Sequence, residues 1–222
     1  MAKDTNAETV ECLFPAFLNI AGRPCVVVGG GQVACRKAEG LLVCGARVTV
    51  VSPRARKQIH TWHAAGLVTW RQKRFSPDDI SGAVLVFAAT DDGRENRRVV
   101  AACKKQNIFV NAAEDPEQGD FFIPAILRMR ALCIAVSTGG KSPLLARRVC
   151  RELEGAVAAE YADFLDILGN LRDRLKQEVP DRTRRKRILE QIVQSDILDL
   201  LKAGKQDHIQ ERIEQCILSL QD

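Results

Sequence analysis

The sequence predicts an α/β protein: a doubly wound parallel sheet, then a small β-hairpin and helix region, then a C-terminal helical domain. Three observations carry this. Short apolar runs rich in β-branched residues alternate with amphipathic segments through the first half of the chain. A turn of three glycines, Gly29-Gly30-Gly31, joins the first such run to the first helical segment. From Ser142 onward the apolar residues recur only at three- and four-residue steps, the period of helix faces.

Pro24 to Gly29, PCVVVG, reads as a buried parallel strand. Val33 to Cys44 is a helix stopped by Gly45, and Arg47 to Val51 is the second strand, completing a βαβ unit. Leu67 to Trp70 is a short third strand and Val84 to Ala89 a strongly apolar fourth. Asn96 to Gln106 is helical and Ile108 to Asn111 is the fifth strand. The pattern then changes. Phe121 to Ile126 and Leu132 to Ser137 are extended runs joined by Arg128-Met129-Arg130, with no room for a helix between them, so they read as an antiparallel hairpin. Ser142-Pro143 places an N-cap residue before a proline at the first helical position, a helix start. Leu165, Leu168, Leu171 and Leu175 mark one helix face, Pro180-Asp181 breaks it, and Ile188, Ile192 and Val193 open a helix closed by Gly204. Ile209, Ile213, Cys216, Ile217 and Leu220 form the last stripe. This divides the chain into a Rossmann-like dinucleotide-binding domain over 1–112, a short hairpin-and-helix region over 113–150, and a helical domain over 151–222. The middle region is too small to bury a core of its own, which fits an obligate dimer.

Composition narrows the function. Of 222 residues, 46% are hydrophobic and 27% charged, which excludes a disordered or collagen-like chain. The net charge of +5 suits a polyanionic ligand, small or nucleic, while the basic run Asp181 to Arg187 lacks the interleaved aromatics of a single-strand binder and reads as a solvated helix start. The eight cysteines show no CxxC spacing, which argues against a zinc ribbon or a thioredoxin-like motif and for a reducing cytoplasm. No apolar run reaches the ~18 residues of a membrane span. His60 and His63 lie three apart on a helix without a third ligand nearby, so no resident metal is expected.

The glycine turn fits GxGxxA over Gly29, Gly30, Gly31, Gln32, Val33 and Ala34. In this setting the first glycine makes the tight turn, Gly31 lets a pyrophosphate approach the backbone, and Ala34 keeps strand and helix close. The free N–H groups of the helix start then face the anion. The carboxylate that usually ends the second strand and binds the ribose is missing, and Ser52-Pro53 stands there with Arg54 and Arg56 beside it. This signature leaves the choice between NAD and NADP open. Thr90, after the fourth strand, either lines the cofactor crevice or caps the next helix.

Five blocks, FPAFLNIAGRPCVVVGGGQVACRKAEGLL, GARVTVVSP, AATDD, NAAEDPEQGDFFIPA and IAVSTGGKSPLLAR, follow one another in order. Together they resemble the precorrin-2 dehydrogenase family, which includes stand-alone enzymes of siroheme synthesis and the N-terminal module of siroheme synthase. The resemblance covers residues 13–175. It implies NAD-dependent oxidation of precorrin-2 to sirohydrochlorin by a homodimer, with 113–150 as the dimerisation and active-site region, and with insertion of ferrous iron in some members, where Fe²⁺ is a substrate. It also implies that an acid in the block starting at Asn111 is critical. The family has an aspartate where this chain has Glu114, with Asp115 next. Glu114 is therefore expected to be the main acid/base group and Asp115 the secondary one; the alternative is that both merely decorate a turn. Asn111, Ser137, Thr138, Gly139, Lys141 and Ser142 are expected to bind the carboxylate-rich substrate. Arg128, Arg130, Arg147, Arg148 and Arg151 add positive charge nearby, most of it on solvated faces. The GKS at Gly140-Lys141-Ser142 lacks the spacing of a phosphate-binding loop. The alternatives to a plain dehydrogenase are a bifunctional dehydrogenase and ferrochelatase, and a non-catalytic dinucleotide- or tetrapyrrole-binding module.

Overall fold

Five parallel strands form the first sheet in the order β3-β2-β1-β4-β5, as seen in a computed structural model that describes residues 13–157 and 159–219. The strands are β1 (Pro24–Val28), β2 (Arg47–Val51), β3 (Val68–Arg71), β4 (Leu85–Ala88) and β5 (Phe109–Ala112). Helices α1 (Gln32–Val43), α2 (Lys57–Ala64) and α3 (Gly93–Gln106) connect them. Both faces are covered, so alternate residues of one strand enter different cores. Cys25 and Val27 pack with Ala34, Ala38 and Leu41 of α1, while Val26 and Val28 pack with Val99, Val100 and Cys103 of α3. That is why the strands read as continuous apolar runs rather than alternating ones. The strand order reverses between β1 and β4, the switch point beside which ligands of such sheets bind.

The chain separates into two compact units, one ending at Ile123 and one beginning at Pro124. The first thus runs past residue 112, because the segment after β5 folds back on it. Asp120 Oδ2 accepts from Val110 N at 2.9 Å, and Asp120 N donates to Val110 O at 2.8 Å. These bonds occupy the outer backbone groups of an edge strand, which blunts its tendency to recruit another chain. Asn111 Nδ2 donates to Phe121 O at 2.8 Å. The hairpin strand expected from Phe121 therefore begins later: β6 is Ala125–Met129, paired antiparallel with β7, Leu132–Val136. Arg128 and Met129 belong to β6 rather than to the turn. Arg130 makes the turn with φ +49°, a backbone region costly for a residue with a Cβ. Its guanidinium is held by Asp163 and Asp166.

In the second unit, α4 (Pro143–Ala156) is capped by Ser142, whose hydroxyl accepts from Leu145 N at 3.2 Å. Helices α5 (Glu160–Glu178), α6 (Arg182–Gln194), α7 (Ile197–Lys202) and α8 (Gln206–Leu218) enclose a core of Leu171, Leu175, Ile188, Ile192, Ile197, Ile209 and Ile213. The helix expected to run on to Gly204 is two helices. Ser195 turns extended (ψ 176°), and its hydroxyl donates to Ile192 O at 2.7 Å, ending α6. Val193 is exposed rather than part of the packed stripe. Leu165 is partly exposed, and Leu220 lies outside the described residues.

The helical start expected at Asn96 lies three residues earlier, because Asp92 caps α3 by accepting from Arg94 N and Glu95 N. A 3₁₀ turn over Pro77–Ile80, not read from the sequence, carries the buried Asp79. Burial pushes this carboxyl up, yet contacts from Lys73 (2.8 Å), Ser76 N (2.9 Å), Arg71 (3.0 Å) and Ser76 Oγ (3.1 Å) outweigh it and hold the group below the usual carboxylate range. A carboxyl depressed in the folded state adds stability above its unfolded pKa of about 3.9, and that stability is lost as pH falls through the folded value. Asp79→Asn is expected to cost about 1–3 kcal/mol at pH 7, since both cations are half-exposed. Urea midpoints of the two proteins, measured from pH 7 down to pH 3, should converge at the acid end.

Candidate functional site

The first unit gathers the predicted cofactor residues at the carboxyl edge of its sheet. Gly29 has φ +133°, and a Cβ there would lie 2.2 Å from Ala89 O. A Cβ on Gly30 would lie 2.0 Å from Arg54 O, because the segment after β2 folds against the turn and Arg56 N donates to Gly30 O at 3.0 Å. Gly31 differs: it is exposed, and a Cβ on it would meet nothing within 4 Å. It is the N-cap of α1, which has neither a side-chain cap nor an acidic residue in its first turn. Gln32 is exposed, Val33 is half-buried against the core, and Ala34 is fully buried where α1 meets the sheet. Unpaired N–H groups beneath an open approach form an anion seat at the switch point, which is what the pyrophosphate of a dinucleotide needs. The residues present fit such a cofactor.

Ser52 is buried, its hydroxyl donates to Arg54 O, and its carbonyl accepts from Trp70 Nε1 at 3.1 Å. The hydroxyl hydrogen is thus spent on its own loop rather than presented to a ribose. Pro53, Arg54 and Arg56 are exposed beside it. Thr90 does not cap α3, since Asp92 does. It sits after β4, and its N–H and hydroxyl both donate to Asn96 Oδ1, at 3.1 and 2.8 Å.

The two candidate acids have different surroundings. Asp115 Oδ2 accepts from Gln118 Nε2 within the short turn Pro116–Gln118. Glu114 follows β5, is exposed, and its Oε2 accepts from Asn96 Nδ2 at 3.4 Å. Asn96 is the residue that sequence reasoning missed: a buried polar side chain in the first turn of α3 joined to both the β4 and β5 ends. The available signal was an asparagine inside a helix, where the type is disfavoured unless its amide is used. Asn111 is buried, with its amide nitrogen on Phe121 O and its Oδ1 without a hydrogen-bond partner, so it braces the 113–121 segment from beneath.

In the second unit the loop from Ser137 to Ser142 links β7 to α4. Gly139 and Gly140 take φ +60° and +79°. Ser137 Oγ accepts from Gly139 N at 3.2 Å, and Thr138 Oγ1 accepts from Ser142 N at 3.1 Å. Both hydroxyl hydrogens remain available, and the exposed Lys141 adds a charge to the loop. Arg147 and Arg151 are exposed one helical turn apart on α4, whereas Arg148 pairs with Glu152 at 2.8 Å and Arg130 is committed to α5.

His60 and His63 pack edge-on to Trp70, and their ring nitrogens lie 3.2 Å from Ala55 O and Val68 O. Among the described residues no group of three His, Cys, Asp or Glu side chains could hold a metal, and no helix is long and apolar enough to cross a membrane. The described cysteines are free, and burial pushes the Cys103 thiol up to about 12.

Three family models match the chain in succession: an NAD(P)-binding region over residues 16–125, the sirohaem biosynthesis protein central region over 131–156, and the sirohaem synthase dimerisation region over 160–217. The siroheme synthase of Nitrosococcus oceani is 36% identical over 200 residues, covering 90% of this chain and 43% of that protein. That of Nitrosospira multiformis is 37% identical over 195 residues, covering 86% of this chain and 41% of that protein. The chain therefore spans about four-tenths of the length of the curated relatives it matches. The solved structure of SirC, precorrin-2 dehydrogenase, superposes with a TM-score of 0.78 at 29% identity, covering 91% of this chain and all of that one.

Proposed function

Because the chain belongs to the siroheme synthase family, we propose that it oxidises precorrin-2 to sirohydrochlorin with NAD⁺ as acceptor. The observation that carries this reading is a juxtaposition at one sheet edge: an open, uncapped glycine turn at Gly31 after β1 and an exposed Glu114 after β5. When bound, the nicotinamide supplies the acceptor for a hydride, and the proton that leaves with it needs a base. Gly29, Gly30 and Gly31 shape the turn, the first N–H groups of α1 bind the pyrophosphate, and Ser52, Pro53 and Thr90 line the crevice. Glu114 accepts the proton and passes it to solvent. Asp115, tied to Gln118, plays the lesser part.

Substrate carboxylates are assigned to the loop Ser137, Thr138, Gly139, Lys141 and Ser142, with Arg147 and Arg151 adding to the field that draws a polyanion. Asn111 contributes by bracing the segment that bears Glu114. The match of residues 160–217, rather than of 113–150, to a dimerisation region supports a homodimer. The free thiols suit a cytoplasmic enzyme.

An anaerobic optical assay tests the reading. Precorrin-2 with NAD⁺ should give the sirohydrochlorin spectrum and one equivalent of NADH, with NADP⁺ compared in parallel because β2 ends in Ser52 rather than a carboxylate. Cofactor binding without any spectral change would show a binding module and overturn the assignment. Adding Fe²⁺ or Co²⁺ to the product reads out metal insertion, the activity that the name of the matched siroheme synthases raises.

A further inference from the structure

We propose that Asn96 is a positioning residue that holds the Glu114 carboxylate in register with the end of β4. This rests on the reading of Glu114 as the acid/base group. Asn96 is 7% exposed and lies in the first turn of α3. An amide buried there is costly unless its atoms are paired. Both are. Oδ1 accepts from Thr90 N (3.1 Å) and Thr90 Oγ1 (2.8 Å), and Nδ2 donates to Thr90 O (3.0 Å) and to Glu114 Oε2 (3.4 Å).

Three of these bonds grip one residue at the end of β4, and the fourth reaches across to the loop after β5. A side chain needed only to start α3 would not have to span two strands, because Asp92 already caps that helix. The amide orientation is fixed by Thr90, whose N–H must meet an oxygen. The NH₂ group is therefore the one turned to Glu114. An exposed glutamate otherwise samples several rotamers. The Asn96 contact selects one of them, and the selected one is anchored to Thr90, which lines the cofactor crevice. Asn96 thus sets the distance between the base and the cofactor edge without touching substrate.

The test is a double-mutant cycle with kcat and NAD⁺ affinity as readouts. Asn96→Ala is expected to lower kcat about 10-fold, in the range of losses seen when a supporting hydrogen bond is removed. Glu114→Asp keeps an acid but withdraws the carboxylate by about 1.5 Å, one C–C bond, out of reach of the amide. In that background Asn96→Ala should cost less than about 2-fold, the signature of a residue acting through position 114. Equal losses in both backgrounds would assign Asn96 a purely structural role through Thr90 and overturn the proposal. Asn96→Asp keeps the acceptor for Thr90 N and Oγ1 but turns its second oxygen to Thr90 O and to the Glu114 carboxylate. It should melt below the parent temperature and, assayed where it is folded, lose at least as much kcat as Asn96→Ala, and wild-type turnover in this variant would equally overturn the proposal. Undiminished turnover in Glu114→Gln would instead bring down the catalytic reading itself, whatever Asn96 does.

Discussion

Glu114→Gln is expected to lower kcat for precorrin-2 oxidation by two orders of magnitude or more while leaving NAD⁺ affinity within about 3-fold. The size follows from the contribution of a positioned acid/base group, about 10²–10⁴-fold. The specificity follows from geometry. Glu114 lies beyond β5, two strands across the sheet from β1 and its glycine turn, so losing its charge does not disturb the pyrophosphate seat. Glutamine keeps the side-chain length and still offers an oxygen to Asn96 Nδ2, so the loop holds its shape while the base is gone. Asp115→Asn is the matched control. Its carboxylate is engaged by Gln118 inside the turn, and an amide oxygen can replace it, so a change below about 3-fold is expected. Single-turnover absorbance traces with saturating NAD⁺, alongside a direct titration of cofactor binding, check both variants. A Glu114→Gln protein that oxidises precorrin-2 at the wild-type rate would remove this residue from the chemistry.

The contrast between these neighbouring acids shows what a linear sequence conveys about a site. Both follow a predicted strand, and both are plausible bases on that ground. The distinction depends on partners far along the chain: Asn96 for one, Gln118 for the other. Ser52 makes the same point. Its place at the end of β2 was readable, but the fold of its loop onto Gly30, which consumes its hydroxyl hydrogen, was not. Thr90 left two roles open, and Asp92 resolved one of them by capping α3.

The fold was far more legible, because burial on both faces imposes apolar runs that composition reveals directly. Arg47–Val51 is found at the residues expected, and β1 and β4 lie within their expected runs. Errors cluster where a local bond overrides pattern. Phe121 looks like strand but is tied to Asn111, and Ser195 ends a helix whose apolar rhythm continues through Ile197. The Arg130 turn carries no glycine or asparagine signal, since two aspartates 33 and 36 residues further along the chain hold it in place.

The three glycines of the turn should separate cleanly when each is replaced by alanine, because three different things stand beside them. Gly29→Ala combines a φ of +133° with a contact of 2.2 Å to the Ala89 carbonyl. Strain of that kind costs about 1–3 kcal/mol and overpacking about as much again. Gly30→Ala has no such backbone strain, but its Cβ would lie 2.0 Å from Arg54 O and 2.7 Å from Ser52 Oγ, so the loop after β2 must move. Both are expected to destabilise the first unit by about 2–5 kcal/mol, enough to consume much of the stability of a typical domain. Gly31→Ala should differ in kind. Nothing in the protein approaches its Cβ, so stability changes by less than about 1 kcal/mol, the gain from a stiffer unfolded chain opposing the poorer N-cap. Its methyl group instead projects into the approach to the α1 N-terminus, and NAD⁺ affinity falls at least 10-fold, or about 1.4 kcal/mol. The measurement is direct because both tryptophans, Trp62 and Trp70, lie in the first unit, on α2 and β3. Their fluorescence during urea unfolding reports that unit alone, and titration with NAD⁺ on the same samples reports the seat. A Gly31→Ala protein that is stable and binds NAD⁺ normally would move the pyrophosphate away from α1. A destabilised one would show that the open space over Gly31 is filled by the chain itself.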